Sequence, residues 1–459
     1  MPFHPGPGRE ILNRIRRKRW DVSANRCCPT RSGDARKSWV TDSGKRSPLA
    51  AALGIGMLLL LTSTWVRAAD IEAEVAALAS APDVQAAMAW AAQREADNIP
   101  RLIELTEIEA PPFGETARGR RFAEMLFEAG LTRVERDDVG NVLGFRPGNG
   151  RPETLAVVAH LDTVFPAGTD VKVRGPEVDE AGRRRWYAPG IGDDSRGLVL
   201  LLTLAETLEA TGIRTERNIL FVASVGEEGI GDLRGMKHLF REGGPRIDEV
   251  IAIDGGNDQR VLNQAVGSHR YRVRITGPGG HSWGAFGMAN PAHALASGIH
   301  RFEAAAREFV ATGARTSFNI GKLGGGTSVN AIPFESWAEV DMRSESPQRL
   351  AGIDTLLRES FTNAVSEHNE RRSRDGALEL DFDMIGNRPS GTVAADTPLV
   401  RRALAVSRYL GLAPELSSGS TDANVPIALG IPATTISRGG LGAGAHSLDE
   451  WWSDEDVVT

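Results

Sequence analysis

Three short apolar runs constrain this chain most: Thr154–Ala159, Asn218–Val225 and Glu249–Ile253. Each has the length of a strand, is bounded by turn residues and is rich in Val, Ile or Ala. A helical run, Leu198–Glu209, lies between the first two and is closed by Gly212. Near-continuous apolar strands that alternate with helices predict a largely parallel sheet buried on both faces, an α/β fold. Upstream, the spacing predicts helical structure to about Ala110, through Val84–Ala96, and a helix near Glu115–Ala129 that stops at Gly130.

From about Gly267 the rhythm changes. Tyr271–Thr276 and Ser336–Met342 alternate apolar and polar residues, as half-buried antiparallel strands do, and helices near Pro291–Val310 and Pro347–His368 separate them. This predicts a smaller α+β module inserted into the first domain. A helix near Pro398–Leu410 and a strand near Ala433–Ser437 mark the return. At 459 residues two domains are expected. The expected division is a leader over 1–69, a catalytic domain over 70–266 and 385–459, and a lid over 267–384.

Polar clusters stand where the predicted strands end. The first strand runs into His160-Leu161-Asp162-Thr163, the second into Gly226-Glu227-Glu228-Gly229 and the third into Asp254-Gly255-Gly256. A fourth cluster, Gly190-Ile191-Gly192-Asp193-Asp194, precedes the Leu198 helix. In open α/β sheets ligands bind beyond the carboxyl ends of the strands, which puts these clusters on one rim. Imidazole and carboxylate together suit zinc, manganese or cobalt, and a bridging carboxylate can hold two ions. Metal-bound water is acidified to a pKa near ~7, and a carboxylate outside the ligand set is still needed to move its proton. The adjacent Glu227 and Glu228 allow one base and one ligand. Asp162, two residues beyond His160, is placed to orient that imidazole. Each cluster has a plain alternative, a hydrogen-bonded pair or a solvated turn; their coincidence on one rim argues against it.

Composition narrows the chemistry. Residues 1–69 hold 13 Lys+Arg against 4 Asp+Glu, so with the whole chain at −7 the rest is strongly acidic. An acidic body is a poor partner for nucleic acid. Both cysteines, Cys27 and Cys28, precede an apolar run, Leu49–Leu61, that has Lys45 and Arg46 before it and Val66-Arg67-Ala68-Ala69 after it. That layout is a secretory signal cleaved after Ala68 or Ala69, preceded by an unusually long basic stretch that points to a downstream translation start or an uncleaved anchor. A periplasmic or secreted mature chain would have no cysteine, leaving only His and carboxylate as metal ligands.

His160-Leu161-Asp162-Thr163-Val164, Gly190-Ile191-Gly192-Asp193-Asp194, Gly226-Glu227-Glu228-Gly229 and the late Gly444-Ala445-His446-Ser447-Leu448-Asp449-Glu450 resemble the di-zinc hydrolases of metallopeptidase family 20. These include peptidase T, glutamate carboxypeptidase, aminoacylase and succinyl-diaminopimelate desuccinylase. The resemblance runs from about Ala92 to the end. It implies two divalent ions, zinc foremost with manganese or cobalt as alternatives. His160, Asp193 and Asp254 would hold one; Asp193 would bridge to the second, completed by Glu228 and His446. It implies Glu227 as general base, Asp162 as the partner of His160, and a cis peptide after Asp193. In the lid, His281 would help stabilise the oxyanion, often across a dimer, while Asn330 and Arg343 would bind substrate, the arginine by clamping a carboxylate. Members of the family usually continue into a final helix where this chain ends at Thr459, so a shortened or incomplete C-terminus is implied.

Two rival readings start from other motifs. Gly280-His281-Ser282-Trp283-Gly284 fits the nucleophile elbow of a serine α/β-hydrolase, with Asp422 and His446 following in order. The elbow requires a direct strand-to-helix passage, whereas the next helix begins only near Asn290-Pro291. Gly229-Ile230-Gly231 and Gly235 suggest a nucleotide loop but lack the third glycine of that motif. The expected function is metal-dependent hydrolysis of amide bonds in small peptides, with deacylation of N-acyl amino acids as the alternative. N-terminal sequencing of the purified protein should return a start at or near Asp70; a start well before it would contradict signal cleavage.

Overall fold

The computed structural model describes residues 71–455. The leader, both cysteines and the signal-like segment lie outside the described residues. No helix among the described residues is long and apolar enough to cross a membrane.

Among the described residues the main sheet has nine strands, and its centre is parallel. Asn218–Ser224, Thr154–His160, Glu249–Asp254 and Ala433–Ser437 lie side by side in that order, all parallel. Antiparallel strands extend it on both sides: Val142–Arg146 beside Asn218–Ser224, and Arg260–Ala265 beside Ala433–Ser437. The three apolar runs are therefore adjacent central strands. Val157, Val158, Phe221, Val222, Val250 and Ala252 are buried in two core layers, one on each face. The helix Gly197–Thr211 covers one face and ends on Gly212 in the left-handed region at φ 68, where a side chain would be strained.

The inserted module begins with the strand Gly267–Thr276, and its last strand, Glu379–Arg388, runs four residues past the expected boundary at 384. Its four-stranded sheet is antiparallel and includes Thr316–Gly325 and Glu335–Ser344. The helices Pro291–Val310 and Pro347–Arg371 are packed on it around a separate core of Tyr271, Phe302, Val340, Leu357 and Phe361. The first helix starts as expected: Asn290 accepts hydrogen bonds from the Ala292 and His293 amides, and Pro291 opens the first turn.

A third sheet has no counterpart in the sequence reading. Arg174–Val178, Arg184–Tyr187, Trp451–Ser453 and Leu441–Ala443 form it from distant segments. Trp452 is fully buried here, 5.9 Å from the Trp186 ring and beneath the Arg196 guanidinium. The loop between the last two of these strands in sequence carries His446.

The two lid helices are in close contact at Gly298, where an added Cβ would lie 2.5 Å from the Phe361 ring. Gly298→Ala should force the helices apart and cost about 1–3 kcal/mol, as overpacking does. Denaturant unfolding checks this, and an unchanged midpoint would count against the packing described.

Candidate metal centre and active site

The carboxyl ends of the parallel strands deliver the predicted residues to one place. His160 is the last residue of its strand, Asp254 the last of its own, and Glu227 and Glu228 follow Ser224 by a short turn. His160 Nε2 lies 3.1 Å from Asp193 Oδ1. His446 Nε2 lies 3.2 Å from Asp193 Oδ2 and 3.0 Å from Glu228 Oε1. Two sets of donor atoms are compact enough for an ion: His160, Asp193 and Asp254, and Asp193, Glu228 and His446. Asp193 belongs to both. A third set, His160 with Glu227 and Glu228, overlaps them.

The electrostatics suit cations. Asp162, Asp194, Glu227, Glu228 and Asp422 are all buried near these donors. Burial drives the Glu227 and Asp194 carboxyls well above their usual range, and it lifts Asp254 to about 6 with help from the Asp193 charge. The imidazoles are raised as well, by their carboxylate partners and against burial. Hydrogen bonds to Asp193 and Glu228 raise His446 to about 10. Burial opposes charge on His160, yet Asp193 and the neighbouring carboxylates hold its pKa well above the ordinary value. Buried negative charge of this density calls for compensating positive charge, and an N,O donor set matches zinc, manganese or cobalt.

Asp162 meets His160 through its main chain and the Glu227-Glu228 turn through its side chain. The His160 ring Nδ1 meets the Asp162 carbonyl oxygen at 2.9 Å, whereas the Asp162 carboxylate is 3.8 Å away. That carboxylate accepts instead from the backbone amides of Glu227 and Glu228, at 2.9 and 2.8 Å. One residue thus sets the imidazole through its carbonyl and the Glu-Glu turn through its side chain. Asp194, joined to Asp193 by a cis peptide, accepts from the amides of His160 and Gly197.

The sequence reading assigned no role to Glu450, Arg388 or Arg438. Glu450 is buried, and its carboxylate accepts from the amides of Gly190, Gly192 and Asp193, each at 2.8 Å. It therefore fixes the loop that presents Asp193. Arg438 lies against the same loop: a Cβ on Gly192 would be 2.6 Å from its Nη2 and 2.9 Å from Glu450 Oε1. The Gly-Ala-His-Ser-Leu-Asp-Glu motif contained Glu450, but nothing in its spacing pointed to an interaction with backbone amides.

The lid residues lie apart from this cluster. His281 is exposed on the two-residue strand Gly280–His281, paired with Ala331–Ile332, and its Nδ1 accepts from Trp283 and Gly284 at 3.2 Å. Asn330 is beside it, its carbonyl accepting from Ser282. Arg343 is elsewhere on the lid sheet, ion-paired with Asp341 at 2.8 Å.

The rival motifs are resolved by geometry. Ser282 follows that short strand into a turn, not into a helix, and Asp422 takes the hydroxyl of Ser224 instead. No nucleophile elbow is formed. Gly229–Gly231 is a single turn packed against Gly226, where a Cβ on Gly231 would collide with backbone.

Residues 156–459 match the peptidase family M20/M25/M40. Carboxypeptidase G2 of Pseudomonas sp. (strain RS-16) is 25% identical over 347 residues, 73% of this chain and 78% of that protein. Among solved structures, a tripeptidase from Staphylococcus aureus superposes with a TM-score of 0.63 at 23% identity, covering 77% of this chain and 92% of that one. Aminopeptidase PepT from Bacillus cereus gives 0.61 at 21%, covering 78% and 94%.

Glu450→Ala should leave three loop amides without their acceptor, at about 1–3 kcal/mol for a buried donor left unpaired. A lowered Tm with weaker metal uptake in calorimetry is the expected result. Wild-type metal affinity in that variant would show that the loop holds Asp193 without it.

Proposed function

The chain belongs to the peptidase family M20/M25/M40, and on that footing we propose that it hydrolyses amide bonds in small peptides through a two-metal centre. One observation carries the reading: Asp193 is shared by two three-donor sets while Glu227 stands beside both without being needed by either. His160, Asp193 and Asp254 would hold one ion; Asp193, Glu228 and His446 would hold the other. Bound there, the ions would polarise the scissile carbonyl and acidify the attacking water.

The remaining work belongs to the chain's own groups. Glu227 takes the proton from water and returns it to the leaving amine. Its burial, which favours the protonated form, suits a group that must hold a proton between those two events. Asp162 keeps Glu227 and Glu228 in register through their amides. His281, with Asn330 and Arg343, binds substrate from the lid, His281 supporting the developing oxyanion and Arg343 a substrate carboxylate. The exposure of His281 on the lid is consistent with action after lid closure or within a homodimer. The preference for peptides follows the similar proteins named above, a carboxypeptidase, a tripeptidase and an aminopeptidase. The signal-like segment adds a periplasmic or secreted location to the proposal.

A panel of di- and tripeptides and N-acyl amino acids, assayed with zinc, manganese or cobalt, tests the function. Cleavage of peptides is expected, abolished by a chelator and indifferent to a serine-directed phosphonate. Cleavage of acylated single amino acids alone would overturn the peptide reading. Glu227→Ala should lose about 10²–10⁴-fold in kcat while retaining its metals, and undiminished turnover would remove Glu227 as the base.

A further inference from the structure

The turn that carries Glu227 and Glu228 is held from outside by the lid. At the end of the last lid strand, the buried Arg388 donates from Nη1 to Glu227 Oε1 at 3.1 Å. Its Nη2 donates to the Glu227 backbone carbonyl, and Nη1 also reaches Ser420 Oγ at 3.0 Å. Next to it, the Asn387 amide donates to Asp232 Oδ1 at 2.8 Å. From the first lid strand, Arg270 Nη1 donates to the Gly229 carbonyl at 2.8 Å. Lid groups thus grip residues 227, 229 and 232 of one short segment.

That segment does not settle into its shape by local preference. Asp232 and Leu233 are both in the left-handed region, at φ 54 and 57, which non-glycine residues adopt only when their surroundings impose it. The lid contacts supply part of that imposition. The Arg388–Glu227 ion pair is buried on both sides, so its geometry is held in a medium that screens little. A guanidinium fork also meets the carboxylate and the carbonyl with donors fixed in one plane; an ammonium is a point charge without that planarity.

We infer that Arg388 is a positioning residue that fixes the Glu227 carboxylate and ties it to the placement of the lid. The inference rests on Glu227 being the general base. Arg388 engages Oε1 and the main-chain carbonyl of the same residue, so the carboxylate is anchored at one oxygen and at its own backbone. Movement of the lid strands therefore moves the base, and a lid set for substrate is also a lid that sets Glu227.

The test uses the full-length chain loaded with zinc, with Arg388→Ala, Arg388→Lys and Glu227→Gln compared with wild type on a peptide substrate. Misplacement of a reacting group by about 1 Å can cost 10²-fold, so Arg388→Ala should lose about 10²-fold in kcat with KM within about twofold and its metal content unchanged. Arg388→Lys should fall between it and wild type, and added guanidinium should restore part of the Arg388→Ala activity. Hydrogen exchange on the metal-free proteins should show amides 228–233 opening faster in both Arg388 variants. A Glu227→Gln enzyme without activity beside a fully active Arg388→Ala enzyme would overturn this inference and leave the base assignment standing. Activity retained in Glu227→Gln would remove the base assignment and this inference with it. Loss of metal from Arg388→Lys, or a kcat loss that guanidinium leaves untouched, would reduce Arg388 to a structural part.

Discussion

The buried negative charge at the carboxyl end of the parallel strands is the constraint to which the rest of the structure answers. Asp162, Asp193, Asp194, Glu227, Glu228, Asp254 and Asp422 surround His160, and most are cut off from water. Carboxylates in such a place need hydrogen-bond donors, cations or protons, since desolvation without a partner is too costly. The structure supplies donors with unusual consistency. Backbone amides serve Asp162, Asp194 and Glu450, and guanidinium serves Glu227. Asp193, Glu228 and Asp254 lie with the imidazoles in the donor sets compact enough for an ion.

That pattern separates the acidic residues by what their oxygens already do. A carboxylate committed to two or three amides is a structural pin, as Asp162 and Glu450 are. A carboxylate turned toward histidine nitrogens and other carboxylates has the surroundings of the proposed metal ligands. Glu227 fits neither group: its ion pair comes from another module, and it belongs to one of the three compact donor sets, the one that lacks Asp193. Its distinct environment supports a distinct chemical role.

Much of the architecture was legible because the central strands are buried on both faces and so read as unbroken apolar runs. Their ends coincide with polar clusters because a parallel sheet places every such end on the same rim. The lid helices were legible for a local reason: Asn290-Pro291 and Ser346-Pro347 are helix starts that need no tertiary help. By contrast, the strands Arg174–Val178 and Leu441–Ala443 are exposed, short and Gly- or Pro-bearing, with no periodicity to reveal them. Their sheet is held by the Trp186–Trp452 contact, between residues far apart in the chain.

Local patterning was enough to show which side chains could serve as ligands, three of them at strand ends and a fourth in the loop before a helix. Only the tertiary structure decided that His446 reaches Asp193 and Glu228, since that depends on a sheet assembled from distant segments. It also decided the tasks of Asp162, Glu450 and Arg388. A carboxylate that holds backbone amides and an arginine that holds a buried glutamate have the same letters as any surface charge; what distinguishes them is the buried partner that folding brings within hydrogen-bonding distance.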